Sequence, residues 1–317
     1  MKKKILVTGG AGFIGTNLCR RLLEDGNTVY CMDSLISGSE DNIKELFGNP
    51  SFSFVKGDIC DGIPFKKIDE IYNCACIASP LQYSQNALKT LETNFIGVRN
   101  ILEFASVYRA KVLQTSTSEI YGQPLVHPQS EGYFGNVNTY GPRSCYDEGK
   151  RVAEALCYTF QQEMNLDVKI VRIFNTYGPY MSIDDGRVVS NFAKQALLED
   201  EITIYGDGEQ TRSFCYVDDL IEGLVRFMEL DEQCGPMNLG NPCEITINEI
   251  AEIIKKKTKS NAQIVYKNSM KDDPTRRRPD ISYAKEKLNW SPCVQLDEGL
   301  NKTLYYFRKK LLVKDEK

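Results

Sequence analysis

Tyr146 and Lys150 stand four residues apart in Tyr146-Asp147-Glu148-Gly149-Lys150, downstream of the stretch Thr115-Ser116-Thr117-Ser118-Glu119-Ile120-Tyr121-Gly122. Residues four apart share one face of a helix. An ammonium beside a phenol would lower its pKa and make it a proton acceptor near neutral pH. Hydroxyls followed by a carboxylate, directly after the apolar run Lys111-Val112-Leu113, are costly to desolvate unless each group has a partner or a task. The tyrosine-lysine spacing is weak by itself, because Tyr283/Lys287, Tyr305/Lys309 and Tyr306/Lys310 repeat it. Only Tyr146 follows the hydroxyl cluster by one strand-loop unit, so a solvated helix face is the better reading for the other three.

A second motif opens the chain. Val7-Thr8-Gly9-Gly10-Ala11-Gly12-Phe13-Ile14-Gly15 lies between a predicted strand and a predicted helix. Glycines at 9, 12 and 15 permit a tight turn, let the backbone approach a pyrophosphate and direct helix N-terminal amides at its charge. An acidic residue about 20 positions later, at the end of the second strand, completes a dinucleotide fingerprint. Here it is Asp33, whose carboxylate would accept ribose hydroxyls and repel a 2'-phosphate; no Arg or Lys occurs between Asp33 and Lys44. The expected cofactor is therefore NAD rather than NADP, with a surface-turn aspartate as the rival reading. Asp58 and Ile59, after the third strand, read equally well as a flank for adenine or as a plain loop.

The elements that must position these groups follow from periodicity. Lys4–Thr8, Thr28–Met32, Phe52–Lys56, Ile71–Cys74, Val112–Thr115 and Val168–Ile173 read as strands. Phe13–Asp25, about Asn86–Tyr108 and about Cys145–Gln162 carry helical spacing. The alternation predicts an α/β fold, a Rossmann-type doubly wound parallel sheet with a smaller C-terminal substrate-binding α/β domain. The expected boundaries place residues 1–178 in the dinucleotide domain, with 213–235 returning to it, and 179–212 and 236–317 in the second.

Composition excludes several classes. The 317 residues carry a net charge of −4, which offers no global basic field to nucleic acid or an anionic membrane. No apolar run reaches the length of a membrane helix, and no secretory leader is legible at the N-terminus. Eleven scattered cysteines lack zinc or redox spacing and read as reduced thiols of a cytoplasmic protein. The single histidine, His127, rules out a multi-histidine metal site; no metal is expected, and His127 itself reads as a loop residue.

Together the glycine motif, the strand-terminal Thr117 and Tyr-x-x-x-Lys resemble the extended short-chain dehydrogenase/reductase family that modifies nucleotide sugars. Longer blocks, among them Thr115–Gly122, Gly141–Arg151, Arg172–Pro179 and Asp185–Phe192, narrow the resemblance to its UDP-glucuronate decarboxylase (UDP-xylose synthase) branch, from about Lys4 to Leu311. The resemblance implies UDP-glucuronate as substrate and a redox-neutral cycle: oxidation at C4, loss of CO2 from the resulting β-keto acid, and re-reduction at C4. It makes Tyr146 the proton acceptor at the 4-hydroxyl, Lys150 its helper, and Thr117 a stabiliser of the enolate oxygen. Sister dehydratases carry Asp-Glu after the threonine, the Asp expelling water. Ser118 stands in place of that Asp, which fits a substrate whose C6 leaves as CO2. Glu119 is then expected to position ring and water or deliver a proton at C5.

The resemblance also brings Arg277 to the active site, against either the sugar carboxylate or the diphosphate; Arg276 and Arg278 themselves read as solvent-facing. It adds Phe13, Ile14 and Thr93 to the cofactor contacts, and Tyr83, Asn175, Arg187, Tyr205 and Arg212 to the substrate contacts. A homodimer formed through about Asn94–Tyr108 and Tyr146–Gln162 is a further implication. Asn73, Thr139-Tyr140 and Glu92 depart from the branch's pattern. Close rivals are a UDP-apiose/UDP-xylose synthase, a 4,6-dehydratase and a 4-epimerase; a rival of another class is a non-catalytic NAD sensor.

Overall fold

The computed structural model describes residues 2–268 and 276–315. Six short runs rich in β-branched residues form β1 (Lys4–Thr8), β2 (Thr28–Asp33), β3 (Phe52–Lys56), β4 (Glu70–Asn73), β5 (Lys111–Thr117) and β6 (Val168–Ile173). With Met237–Leu239 they build a seven-stranded sheet in the order Met237–Leu239, β6, β5, β4, β1, β2, β3, every pair parallel. Helices cover both faces, so alternate residues enter different cores. Ile5 and Val7 of β1 join one apolar cluster and Leu6 joins the other. The strand order reverses between β1 and β4, which opens a crevice at their carboxyl ends.

Three expectations need correction. Met237–Leu239 belongs to the large sheet, pairing with β6, although it was expected in the second domain; three buried residues are too few to show a period. β5 runs to Thr117, two residues beyond the expected end. The helix expected over about Asn86–Tyr108 is interrupted: Pro80–Gln85 and Ala87–Glu92 lead into a π-turn at Thr93–Gly97, and a regular helix resumes at Val98–Tyr108. Apolar spacing reports which face is buried but is blind to one inserted residue. The turn brings Gly97 against Ile59, where an added Cβ would stand 2.5 Å from its Cδ1.

Past β6 the regular alternation gives way to small sheets. Thr211–Ser213 lies between Glu244–Thr246 and Arg276–Arg277, and Ile202–Tyr205 pairs with Ile264–Lys267. The helix Val217–Glu229 packs back against β5, β6 and the helix Phe13–Glu24. Among the described residues no helix is long and apolar enough to cross a membrane.

Candidate active site

The glycine turn after β1 is fixed by close contact. Gly9 has φ of +67° and donates its N–H to Met32 O at 2.8 Å. A Cβ there would stand 2.7 Å from the Cys74 carbonyl, and one on Gly15 would collide with the Gly9 carbonyl oxygen. The first turn of the helix Phe13–Glu24 therefore points its amides into the crevice. Asp33 accepts Ala11 N at 2.9 Å through Oδ2 and Leu35 N at 2.8 Å through Oδ1. Burial pushes its carboxyl up while these amides pull it down, and burial prevails. Gly38 lets the chain pass, since a Cβ there would be 2.8 Å from both Asp33 oxygens.

The resulting cavity, about 410 Å³, is lined by Gly9, Gly12, Phe13, Ile14, Gly15, Asp33, Asp58, Ile59, Thr93 and Arg187. Asp58 accepts Cys60 N at 2.8 Å and pairs with Lys89 at 2.8 Å. Burial opposes ionisation there, but the Lys89 contact and the amide hold the carboxyl below its ordinary value. Glu92 reaches the same lysine at 4.0 Å. Asn73 is fully buried, taking Thr8 Oγ1 at 2.6 Å and donating to Gln114 Oε1 at 2.7 Å. Tyr306 and Lys310 also line the cavity, so the expectation of a solvated helix face fails for that pair; periodicity did not reveal that the last helix packs across the crevice.

At the inner end, β5 delivers Thr117 into the cap of a single 3₁₀ turn, Ser118–Tyr121, where Thr117 Oγ1 accepts Glu119 N at 3.2 Å. The helix Ser144–Met164 supplies Tyr146 and Lys150, both buried. Tyr146 stacks on Tyr83 with ring centroids 5.2 Å apart and an angle of 7°. Burial pushes its phenol well above the ordinary value, nearby Cys76 adds to this, and contact with Thr117 and the charge of Arg187 oppose it. Burial is the largest influence on the phenol, and Lys150 Nζ donates to the Thr115 carbonyl at 2.9 Å.

Glu119 is gripped from two sides. Arg277 donates Nη1 to Oε1 and Nη2, at 2.9 Å, to Oε2, and Arg143 donates Nη2 to Oε2. Burial works to raise the carboxyl, yet the charges of Arg277, Arg143 and Arg212 outweigh it and hold Glu119 below its ordinary value. Asp147, one residue beyond Tyr146, is 7% exposed. Its Oδ2 lies 3.8 Å from Arg143 Nε, and its buried Oδ1 has no hydrogen-bond partner among the described residues. Burial and the Glu119 charge push its carboxyl up to about 7, against the pull of Arg143 and Arg277.

A glycine cradle for a dinucleotide, joined to a Thr-Tyr-Lys set at the switch point, is matched by the NAD dependent epimerase/dehydratase family over residues 5–240. The chain belongs to this family. It is 50% identical over 313 residues to UDP-glucuronic acid decarboxylase 1 of Arabidopsis thaliana, covering 99% of this chain and 72% of that protein. Among solved structures, UDP-glucose 4-epimerase of Thermotoga maritima with UDP-glucose superposes with a TM-score of 0.90 at 32% identity, covering 97% of this chain and 99% of that one. UDP-glucuronic acid 4-epimerase of Bacillus cereus, in complex with UDP-glucuronic acid and NAD, gives 0.88 at 28% identity, again 97% and 99%.

As an epimerase/dehydratase family member the protein takes NAD. The residues fit it: the Gly9 and Gly15 positions admit no Cβ, and the Asp33 carboxylate, held by backbone amides, keeps acceptor capacity for a ribose hydroxyl. The other expected site residues are distributed unevenly. Arg187 pairs with Asp185 at 2.5 and 2.9 Å. Arg212 is buried on Thr211–Ser213, beside Arg277 across the strand pair. Ser118 is buried, and Asn175 is half-buried with its carbonyl accepting Cys215 N at 2.9 Å. Tyr205 is 37% exposed at the end of its strand and accepts Gln210 Nε2 through its carbonyl. Arg276 is exposed, whereas Arg278 is half-buried, 3.7 Å from Glu244. His127 meets the same Glu244 at 3.1 Å from a loop. Sequence reasoning missed Arg143, Asp147 and Cys76. The i, i+4 spacing of Arg143 and Asp147 was the available signal.

Proposed function

We propose that this protein converts UDP-glucuronate to UDP-xylose and CO2, with NAD as a catalyst regenerated in each turnover. The observation that carries the reading is the Thr117-Ser118-Glu119 turn, whose carboxylate is locked to Arg277 and Arg143 with no acid in the Ser118 position to expel water. Half-identity to UDP-glucuronic acid decarboxylases supports it over the structurally similar epimerases at about 30%. Bound in the glycine cleft, NAD would supply the hydride acceptor and donor for C4, and the positive charge of its oxidised ring would favour the phenolate of Tyr146.

Tyr146 accepts the 4-hydroxyl proton as C4 is oxidised and gives it back at the end. With C4 a ketone, the C5 carboxylate leaves as CO2 and its electron pair delocalises onto O4, where Thr117 and Tyr146 donate hydrogen bonds. Lys150, tied to the Thr115 carbonyl, fixes the helix against β5 and supplies positive charge beneath the site. Glu119 is a fixed anion that orients Arg143 and Arg277, and these guanidiniums hold the anionic substrate through planar, directed donors. Arg187 and Arg212 contribute further positive charge toward the carboxylate and diphosphate, with Tyr83, Asn175 and Tyr205 bordering the sugar nucleotide.

The small sheets after β6 carry the sugar-nucleotide side, and the seven-stranded sheet carries NAD. Exposed Leu88, Leu91, Phe95, Val107 and Tyr158, on the π-turn, the helices on either side of it and Ser144–Met164, favour a homodimer. Eleven unpaired cysteines favour the cytoplasm. Proton NMR of the protein with UDP-glucuronate, following the anomeric signals together with CO2, tests the activity. UDP-xylose and CO2 in equal amounts, without accumulating reduced cofactor, is the expected result. Unchanged substrate, with UDP-glucose or dTDP-glucose consumed instead, would return the chain to the epimerases or dehydratases.

A further inference from the structure

The decarboxylation proposed above replaces CO2 by a proton at C5, so each turnover consumes a proton that Tyr146 does not supply. The proton Tyr146 takes from the 4-hydroxyl is the one it restores to O4. Glu119 is no source, because Arg143 and Arg277 saturate it as an anion. The Thr117 and Ser118 hydroxyls do not titrate in this range, and Lys150 Nζ is drawn toward the Thr115 carbonyl on β5.

Asp147 differs from all of these. It shares Arg143 with Glu119, at 3.8 Å, and its Oδ1 is buried with no hydrogen-bond partner among the described residues. An ionised carboxylate in that position forfeits far more solvation than a protonated carboxyl does. The groups facing it are Arg143 at the helix N-cap, Cys145 and Glu148 on its own helix, Glu119 from the turn after β5, Arg277 from its strand, and Tyr83 from Pro80–Gln85. The two guanidiniums and the helix N-terminus favour the anion; burial and Glu119 favour the acid.

Resting on the decarboxylase reading, we infer that Asp147 holds the proton that C5 takes up after CO2 departs. The Asp147 O–H bond breaks, directly or through one water, and a C5–H bond forms with the electron pair left by the C5–C6 bond. Solvent then reprotonates the carboxylate. Because the acid form is the working form, kcat falls as pH rises through neutrality.

The test compares the wild-type and Asp147→Asn holoenzymes with UDP-glucuronate across pH. In the variant KM stays within about threefold, kcat falls at least about tenfold, and the alkaline decline of kcat disappears. Reduced cofactor, seen by its near-ultraviolet absorbance, accumulates, and Asp147→Glu recovers part of the rate. Unchanged kcat and pH profile overturn the inference, and so does an effect confined to KM, which assigns Asp147 to positioning Arg143. If Asp147→Asn does not fold, the wild-type profile decides: kcat flat between about pH 6 and 9 overturns the inference, and a fall through neutrality supports it. Wild-type enzyme that releases no CO2 overturns the decarboxylase reading itself, before any variant is made.

Discussion

The cofactor cleft and the charged end of the same crevice are built by opposite means. The cleft comes from neighbours in sequence: Gly9, Gly12 and Gly15 shape one turn, and Asp33 closes it with amides from Ala11 and Leu35. Its recognition elements are backbone groups that cannot move far. The charged end is assembled from side chains 24 and 158 positions away from Glu119, in Arg143 and Arg277. There the geometry depends on ionisation, so it responds to pH and to single-atom changes that the cleft would tolerate. The first region holds a molecule that stays through the cycle, and the second meets one that is transformed.

Substitutions sharpen this contrast. Tyr146→Phe removes the group that exchanges the O4 proton and should lower kcat by about 10²–10⁴ with NAD still bound; cofactor content and product NMR on one sample check both halves. Glu119→Gln leaves Arg143 and Arg277 facing a neutral partner, and breaking a buried pair from one side costs about 3–5 kcal/mol. Urea unfolding would read that loss, and a stability equal to wild type would deny that the three side chains act as a unit. Gly15→Ala drives a methyl into the Gly9 carbonyl, at about 1–3 kcal/mol, and should weaken NAD binding without altering the pH profile. Asp33→Asn keeps the shape but turns one accepting oxygen into a donor facing the Ala11 or Leu35 amide, and the smallest effect is expected there: NAD affinity lower by up to about tenfold, measured by titration.

The two carboxylates near the guanidiniums should also differ in sign. Glu119 has a folded pKa below its unfolded value, so its stabilising contribution is complete above about pH 4.3 and is lost as pH falls through the folded value. Asp147 is raised, to about 7, so stability declines as pH rises from its unfolded value near 3.9 toward that point. Melting temperatures of Glu119→Gln and Asp147→Asn should therefore both approach wild type at acidic pH and part from it with opposite sign as pH rises, Glu119→Gln falling below wild type and Asp147→Asn gaining on it. A gap for Asp147→Asn that does not change with pH would mean that the Asp147 pKa is not raised on folding.

What was legible in the sequence follows the same division. Strands of five or six residues with apolar alternation, and a glycine turn followed by Asp33, are local signals and survive without tertiary context. Thr117, Glu119, Tyr146 and Arg277 were legible through motif blocks, and they converge. The π-turn at Thr93–Gly97 and the strand Met237–Leu239 were not, because one extra residue or a three-residue run leaves no period to read. The raised phenol of Tyr146 was not legible for another reason: burial is a tertiary quantity, and it is the largest influence there. Asp147 and Arg143 were in view as residues, but nothing in their types announces an orphaned oxygen or a shared guanidinium.

The strand Arg276–Arg277, paired with Thr211–Ser213, has a consequence for the order of assembly on the ribosome. Protein synthesis runs from the N-terminus, and domains fold in that order as they emerge. The glycine turn, Asp33 and the Tyr146 helix are therefore in place while Arg277 is still unmade. A nascent chain has Arg143 beside Glu119 early, and the second guanidinium joins the carboxylate only when the last eighth of the polypeptide has begun to appear, together with the final helix that closes the cofactor cleft.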